Sequence, residues 1–193
     1  MTGLLGGTFD PPHYGHLVLA MEACTRFALR GVILVPSRLP PHKGGGSVTP
    51  FHHRLEMTRL AAEGADELSA EDLESESGPS WTVNLLEKLS GQGMRICFIM
   101  GMDSLTELHT WRDPHRIASL ARMVAGTRPG FDPSRAAPGI LSLVETFDMP
   151  GMCISSSQLR ERFAEGLNTR YLLPEKVRDY IRENDLYARG KGC

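Results

Sequence analysis

Two histidines near the N-terminus, His13 and His16, are the side chains of this sequence best suited to chemistry. They follow the glycine turn Gly6-Gly7-Thr8-Phe9-Asp10, stand three positions apart and directly precede a helical pattern that begins near Leu17. Glycines let a backbone approach a phosphate closely, and a helix N-terminus presents unpaired N–H groups and the positive end of its dipole. Imidazoles at such a turn lie where charge on a phosphate would develop. The arrangement predicts a nucleotide phosphate site.

A structural histidine pair, or half of a zinc site, is the alternative interpretation of His13 and His16. Zinc takes about four nitrogen, sulfur or oxygen ligands, and neither a cysteine nor a further histidine stands nearby at ligand spacing. The glycine turn and the helix start therefore favour the phosphate interpretation.

Further polar and charged side chains stand in loops that follow predicted strands, or at the start of a helix. Ligands of open parallel sheets bind at the carboxyl ends of the strands, so we expect these segments to meet on one ligand. Asp103 and the serines could instead only cap helices, and Arg160 could pair with a glutamate of its own helix. The segments are a Pro/Gly-rich mobile flap with Lys43, the turn with Asp103 and Ser104, the loop with Arg128, and the serine-rich helix start Ser155 to Ser157 before Arg160.

The elements that must position these side chains alternate between strand patterns and helix patterns. Apolar runs typical of buried strands occupy residues 3–5, 31–36, 94–101, 122–126 and 143–147. Helical spacing of apolar residues occupies residues 17–27, 83–89 and 175–183. The alternation predicts an α/β, Rossmann-like, doubly wound parallel sheet with helices on both faces. We expect residues 1–193 to form a single domain with a small helical C-terminal part from about residue 155.

Composition excludes several classes of protein. The chain has 193 residues, of which 41% are hydrophobic, and a formal net charge of -2, so no global basic field favours nucleic acid or an anionic membrane. No basic segment followed by an apolar one stands at the N-terminus, and no apolar run could cross a bilayer. Four dispersed cysteines, three of them in apolar surroundings, are typical of a reducing compartment. We expect a soluble, cytoplasmic protein that could form a homo-oligomer.

An acidic stretch covers residues 63–78, with seven acidic side chains and no basic one. A metal site is one interpretation of it. A solvated face or an irregular edge strand is the interpretation that we favour.

Two signatures resemble those of the nucleotidylyltransferase superfamily. Gly7-Thr8-Phe9-Asp10-Pro11-Pro12-His13-Tyr14-Gly15-His16 contains the pattern Gly-x-Phe-Asp-x-x-His-x-Gly-His in full, and Ile154-Ser155-Ser156-Ser157-Gln158-Leu159-Arg160 is similar to Ile-Ser-Ser-Thr-x-Ile-Arg. The chain departs from the family at Ser157, where threonine is usual, and at Trp81, where tyrosine is usual. Other segments resemble the bacterial nicotinate-mononucleotide adenylyltransferases: Pro40-Pro41-His42-Lys43, Ser80-Trp81-Thr82, Gly101-Met102-Asp103-Ser104-Leu105, Thr110-Trp111, Arg128-Pro129-Gly130 and Leu173-Pro174-Glu175-Lys176-Val177.

The resemblance implies a reaction in which ATP and nicotinate mononucleotide give nicotinate adenine dinucleotide and pyrophosphate, a step of NAD synthesis. Its expected cofactor is Mg²⁺, held mainly by the ATP phosphates, with no metal ligand from the protein. The implied catalytic residues are His13, His16, Lys43 and Arg160. The implied ATP-binding residues are Gly6, Gly7, Thr8, Phe9, His13, His16, Asp103, Ser104, Ile154, Ser155, Ser156 and Arg160. The implied nicotinate-nucleotide-binding residues are Lys43, Trp81, Thr82, Asp103, Trp111 and Arg128.

Two other functions stay open at this point. The first is another transferase of the same superfamily, which would transfer AMP to phosphopantetheine or CMP to a phospho-alcohol. Ser80-Trp81-Thr82 and Trp111 favour the nicotinate branch, although Trp111 could equally be a packing residue. The second is a non-catalytic nucleotide sensor, against which the complete set of His13, His16, Lys43 and Arg160 argues.

Overall fold

A parallel sheet forms the centre of the molecule. The computed structural model describes residues 1–40, 48–74, 78–127 and 136–188. The strands of this part are β1 (Thr2–Gly7), β2 (Val32–Pro36), β3 (Leu68–Ala70), β4 (Ile96–Gly101), β5 (Arg122–Thr127) and β6 (Glu145–Asp148). They lie in the order β3-β2-β1-β4-β5-β6, and every neighbouring pair is parallel. The predicted Rossmann-like doubly wound sheet is confirmed.

Helices cover both faces of the sheet. They are α1 (Tyr14–Arg26), α2 (Phe51–Ala62), α3 (Thr82–Gly91), α4 (Met102–Glu107), α5 (Pro114–Leu120), α6 (Pro138–Leu141), α7 (Ser156–Ala164) and α8 (Glu175–Glu183), with a 3₁₀ turn at Leu108–Thr110. No helix of the described part is long and apolar enough to cross a membrane.

The strands are apolar at successive positions because both of their faces are covered. Leu4 packs in one cluster with Leu86 of α3 and Ile117 of α5, whereas Leu5 packs in another with Ala20 of α1. Neighbouring side chains of a strand point to opposite faces, so a strand between two helical layers must be apolar throughout. This is the physical reason that continuous apolar runs predicted β1, β2, β4 and β5.

The helical C-terminal part packs on α2 rather than on the sheet. Leu159 of α7 and both Val177 and Ile181 of α8 are buried in a third cluster with Met57 of α2. The helix predicted over residues 175–183 is confirmed, and Pro174 stands at its N-cap position.

The acidic stretch contains the edge strand β3, which pairs with β2 alone. Charged flanks are common on edge strands because they discourage pairing with another chain. No group of three or more residues able to hold a metal ion occurs within the described residues. The edge-strand interpretation of residues 63–78 is therefore the one that the fold supports.

Two of the cysteines predicted in apolar surroundings, Cys24 and Cys97, are buried, but Cys153 is exposed. Cys153 stands in the segment between β6 and α7, where its apolar neighbours in sequence pack without it. The prediction for this cysteine was wrong. A short loop has no regular alternation of apolar and polar residues, and without it the sequence does not show which side chains point to the core.

Cys97 should give the sheet a pH-dependent stability. Burial raises the pKa of its thiol to about 11, whereas an exposed thiol has a pKa of about 8.5. The folded protein thus holds this proton more tightly than the unfolded chain does. The stabilisation is complete below the lower pKa and is lost as the pH rises towards the higher one. We expect the free energy of unfolding, measured by denaturant titration, to fall across this interval.

The fall should be smaller in a Cys97→Ala variant and unchanged in a Cys153→Ala control, because Cys153 is exposed. Equal slopes against pH in the wild type and the Cys97 variant would contradict the assignment.

Candidate active site

A crevice opens at the carboxyl end of the sheet, where the strand order reverses between β1 and β4. Loops that leave two such strands turn to opposite faces, and the space between them is the usual ligand site of this sheet type. The crevice has a volume of about 390 Å³. The predicted site residues that line it are Gly6, Gly7, Thr8, Phe9, His16, Trp81, Thr82, Asp103, Ser104, Trp111 and Ser156.

His16 is the histidine that lines the crevice. Its Nδ1 accepts a hydrogen bond from the backbone N–H of His13 at 3.2 Å. Nδ1 therefore carries no proton in the neutral ring, and the proton is on Nε2. The Nε2–H group is the donor that His16 can offer to an anion.

His13 is buried and supports His16 instead of lining the crevice itself. The two rings stack with their centroids 3.8 Å apart. A Cβ atom at Gly15 would lie 3.0 Å from the His13 ring, so a side chain there would displace the ring. Phe9 contacts the other histidine, with its ring centroid 4.9 Å from that of His16. These contacts together fix the position of the His16 ring at the first turn of α1.

The start of α7 joins the same loop from the other side. Ser156 lines the crevice, and its hydroxyl donates to the backbone carbonyl of Pro11 at 2.9 Å. Ser155 is the exposed N-cap, and its hydroxyl accepts from the N–H of Gln158 at 3.2 Å. Because a cap and an anion site use the same N–H groups, the cap prediction and the binding prediction are compatible.

Arg160 contacts the loop that follows β1. Its guanidinium donates to the backbone carbonyl of Asp10 at 2.7 Å and to the Ser157 hydroxyl at 3.2 Å. Arg160 and Ile154 line neighbouring surface depressions and not the crevice. Their predicted contacts with ATP stay predictions.

The opposite wall of the crevice is aromatic. Trp81 occupies the N-cap position of α3, and Thr82 is the first residue of that helix. Trp111 contacts Phe98 of β4 edge to face, with the centroids 6.0 Å apart, so it both packs on the core and lines the crevice. Asp103 stands in the first turn of α4, whose N-cap is Gly101, and so it does not cap that helix. Lys43 and Arg128, which were predicted to bind substrate, lie outside the described residues.

Arg54 is a residue of this region that the sequence analysis missed. It is 1% exposed, and its guanidinium donates to four backbone carbonyls at 2.7–3.2 Å, those of Thr8, Ser37, Arg38 and Thr49. These carbonyls belong to the loop after β1, the loop after β2 and the segment before α2. The sequence does contain one indication of this role. Arg54 lies on the same face of α2 as Met57 and Ala61, so its side chain is expected to point into the protein.

The acidic stretch also reaches the crevice. The Glu74 carboxylate lines it and accepts hydrogen bonds from the N–H of Arg38, at 2.8 Å, and from the hydroxyl of Ser80. Ser80 in turn accepts from the N–H of Leu39 at 3.0 Å. Glu74 thus fastens the loop after β2 to the segment that precedes Trp81, a role that the sequence did not indicate.

Tyr187, after α8, fastens the C-terminal segment to the loop that follows β1. Its hydroxyl donates to the buried Asp10 carboxylate at 2.6 Å, and the N–H of Thr49 donates to the same group at 3.2 Å. Burial, and then the adjacent Asp10, raise the pKa of the Tyr187 hydroxyl, which stays protonated and so remains a donor.

Removal of this hydroxyl in Tyr187→Phe should lower the free energy of unfolding by about 1–2 kcal/mol, because a buried carboxylate loses one charge-assisted hydrogen bond. Denaturant titration measures the change. Tyr171→Phe is the control, since Tyr171 is 78% exposed and should lose almost nothing. Equal stability of the two variants would contradict the proposed anchoring.

A parallel sheet of this strand order, with a glycine turn, a histidine and two helix starts at its switch point, defines a Rossmann-like nucleotide-binding protein. Residues 4–162 match the cytidylyltransferase-like family. A relative from Desulfitobacterium hafniense is 43% identical over 96% of this chain and 94% of its own length. Another, from Symbiobacterium thermophilum, is 38% identical over 97% of this chain and 95% of its own. Both carry the name probable nicotinate-nucleotide adenylyltransferase.

The chain belongs to the cytidylyltransferase-like family and, within it, to the nicotinate-nucleotide adenylyltransferases. Its fold is also similar to that of Plasmodium falciparum nicotinic acid mononucleotide adenylyltransferase complexed with NaAD. That likeness has a TM-score of 0.80 at 21% identity and covers 96% of each chain.

Proposed function

We propose that this chain transfers the adenylyl group of ATP to the phosphate of nicotinate mononucleotide, giving nicotinate adenine dinucleotide and pyrophosphate. The observation that carries the proposal is a single crevice lined both by a phosphate-binding turn with His16 and by the aromatic start of α3. Such a crevice suits two nucleotides bound together. The names of the full-length relatives support the choice of substrates.

The chemistry requires positioning and charge neutralisation but no nucleophile from the enzyme. The phosphate of the mononucleotide is already ionised at neutral pH, and one of its oxygens forms the new bond to the α-phosphorus of ATP. The bond from that phosphorus to the bridging oxygen breaks, and pyrophosphate leaves. The enzyme must hold both polyanions in line and stabilise the charge that moves to the phosphoryl oxygens.

His16 and the start of α7 supply the donors for this task. The Nε2–H of His16 donates to an α-phosphate oxygen, and the free N–H groups near Ser156 bind the β- and γ-phosphates at the positive end of the α7 dipole. Arg160 holds the Asp10 carbonyl and adds positive charge behind the loop. In this scheme Lys43 bridges the two substrates.

Mg²⁺ fits the proposed site as an ion held mainly by the triphosphate. Among the described residues, no three histidine, cysteine, aspartate or glutamate side chains lie close enough together to hold a metal ion by themselves, and a hard ion with several phosphate oxygens needs few protein ligands. When bound, it would neutralise charge on the phosphate oxygens.

The aromatic wall suits the pyridine ring of the mononucleotide. A planar cationic ring stacks well on the face of Trp81 or Trp111, and the first N–H groups of α3, near Thr82, can donate to its carboxylate. Asp103 can accept hydrogen bonds from ribose hydroxyls.

Pyrophosphate release by the purified protein with Mg-ATP tests the proposal. Nicotinate mononucleotide, nicotinamide mononucleotide and phosphopantetheine are compared as acceptors. We expect strong turnover with the first. Turnover with phosphopantetheine alone would favour the other branch of the superfamily, and ATP binding without turnover on any acceptor would favour a nucleotide sensor.

A further inference from the structure

The described lining of the crevice is acidic for a site proposed to take two anionic nucleotides. Among the described residues, three carboxylates line it, those of Glu74, Asp103 and Glu107. Within the described part of the chain, Arg112 is the only lysine or arginine that lines it. Of the described lysine and arginine side chains, it is therefore the one that a negative group of a ligand can meet in the crevice.

Arg112 is held at the aromatic wall. It directly follows Trp111, which ends the 3₁₀ turn after α4, and its guanidinium carbon lies 5.7 Å from the centroid of the Trp81 ring. A guanidinium at this distance over an indole is attracted by the negative face of the ring. The charge thus lies beside Trp81, where the pyridine ring of the mononucleotide is proposed to bind.

The charge of Arg112 is also available to a ligand. Among the described residues, no carboxylate forms an ion pair with it, and its guanidinium contacts the Trp81 ring. Arg116, four residues further along, differs in this respect, because its guanidinium is 3.0 Å from the Glu87 carboxylate and it does not line the crevice.

We propose that Arg112 is a specificity-determining residue that binds the carboxylate of the pyridine ring and so selects nicotinate mononucleotide over nicotinamide mononucleotide. This inference rests on the proposed function. The two acceptors differ by one negative charge, and a guanidinium forms strong, paired hydrogen bonds with a carboxylate. A neutral carboxamide instead presents N–H donors as well as an oxygen to a side chain that only donates.

The test compares kcat/KM for the two acceptors in the wild type and in Arg112→Gln. We expect the value for nicotinate mononucleotide to fall about 10- to 100-fold, as for the loss of one charged hydrogen-bonded pair. The value for nicotinamide mononucleotide should change less than about threefold, and so should the KM for ATP. Arg112→Lys, which keeps the charge, should retain more of the preference than the glutamine variant does.

Arg116→Gln is the matched control, and it should leave the ratio between the acceptors unchanged. An unchanged ratio in Arg112→Gln, or an equal loss with both acceptors, would overturn the inference. A wild type that uses both acceptors equally would overturn it as well, while leaving adenylyl transfer intact. A wild type without turnover on nicotinate mononucleotide would instead refute the proposed function. Arg112 is exposed, so the variants should fold, and thermal unfolding verifies this.

Discussion

Substitution of His16 by alanine is expected to lower kcat for adenylyl transfer by about 100- to 1000-fold, the usual effect of losing one preorganised donor to a developing charge. The dissociation constant of ATP should change less than about threefold, because the glycine turn and the start of α7 remain. The reason is that the Nε2–H of His16 serves the transition state more than the ground state. Steady-state pyrophosphate release and equilibrium ATP binding measure the two quantities.

His115→Ala is the matched control for this experiment. His115 is an exposed histidine of α5 that does not line the crevice, and its loss should leave both quantities unchanged. A variant at His16 that keeps full turnover would refute the transition-state role. A variant that loses ATP binding and turnover in parallel would instead show that His16 stabilises bound ATP and the transition state equally.

Substitution of Arg54 by methionine is expected to lower the free energy of unfolding by roughly 2–4 kcal/mol, because four backbone carbonyls lose the buried guanidinium that donates to them. For a chain of this size the melting temperature should fall by about 5–15 °C. Turnover should fall as well, since Arg54 joins the loops after β1 and β2 that form one side of the crevice. Denaturant titration and pyrophosphate release measure the two effects.

Arg59→Met provides the comparison on the same helix. Arg59 is largely exposed and 3.7 Å from Glu56, so its loss should change stability by less than about 0.5 kcal/mol. Arg54→Lys keeps the charge but has fewer donors and should be intermediate. If Arg54→Met melts within about one degree of the wild type, the guanidinium does not hold these loops together.

The parts of the fold that could be predicted from the sequence are those with a local pattern. A strand covered on both faces is apolar at each position, as in Val32–Pro36, and an amphipathic helix repeats its apolar positions, as in Thr82–Gly91. The edge strand Leu68–Ala70 was only one of three interpretations of an acidic stretch, because three residues carry too little pattern. Cys153 was misplaced for the same reason.

The same distinction holds for the crevice. Its glycine turn, His16, Ser156, Trp81 and Trp111 could be named from motifs, because chemistry constrains both residue type and spacing at these positions. Motif spacing could not show that His13 is buried beside His16, or that Arg160 donates a hydrogen bond to the Asp10 carbonyl in the loop after β1.

The sequence by itself determined the strand and helix pattern, the glycine turn before α1 and the family to which the chain belongs. Only the tertiary structure decided that Arg54, Glu74 and Tyr187 fasten the loops around the crevice, and that Arg112 lies beside Trp81. The physical reason is distance along the chain. Hydrogen bonds such as that from Tyr187 to Asp10 join segments 177 residues apart, and no local pattern of residue types records such a contact.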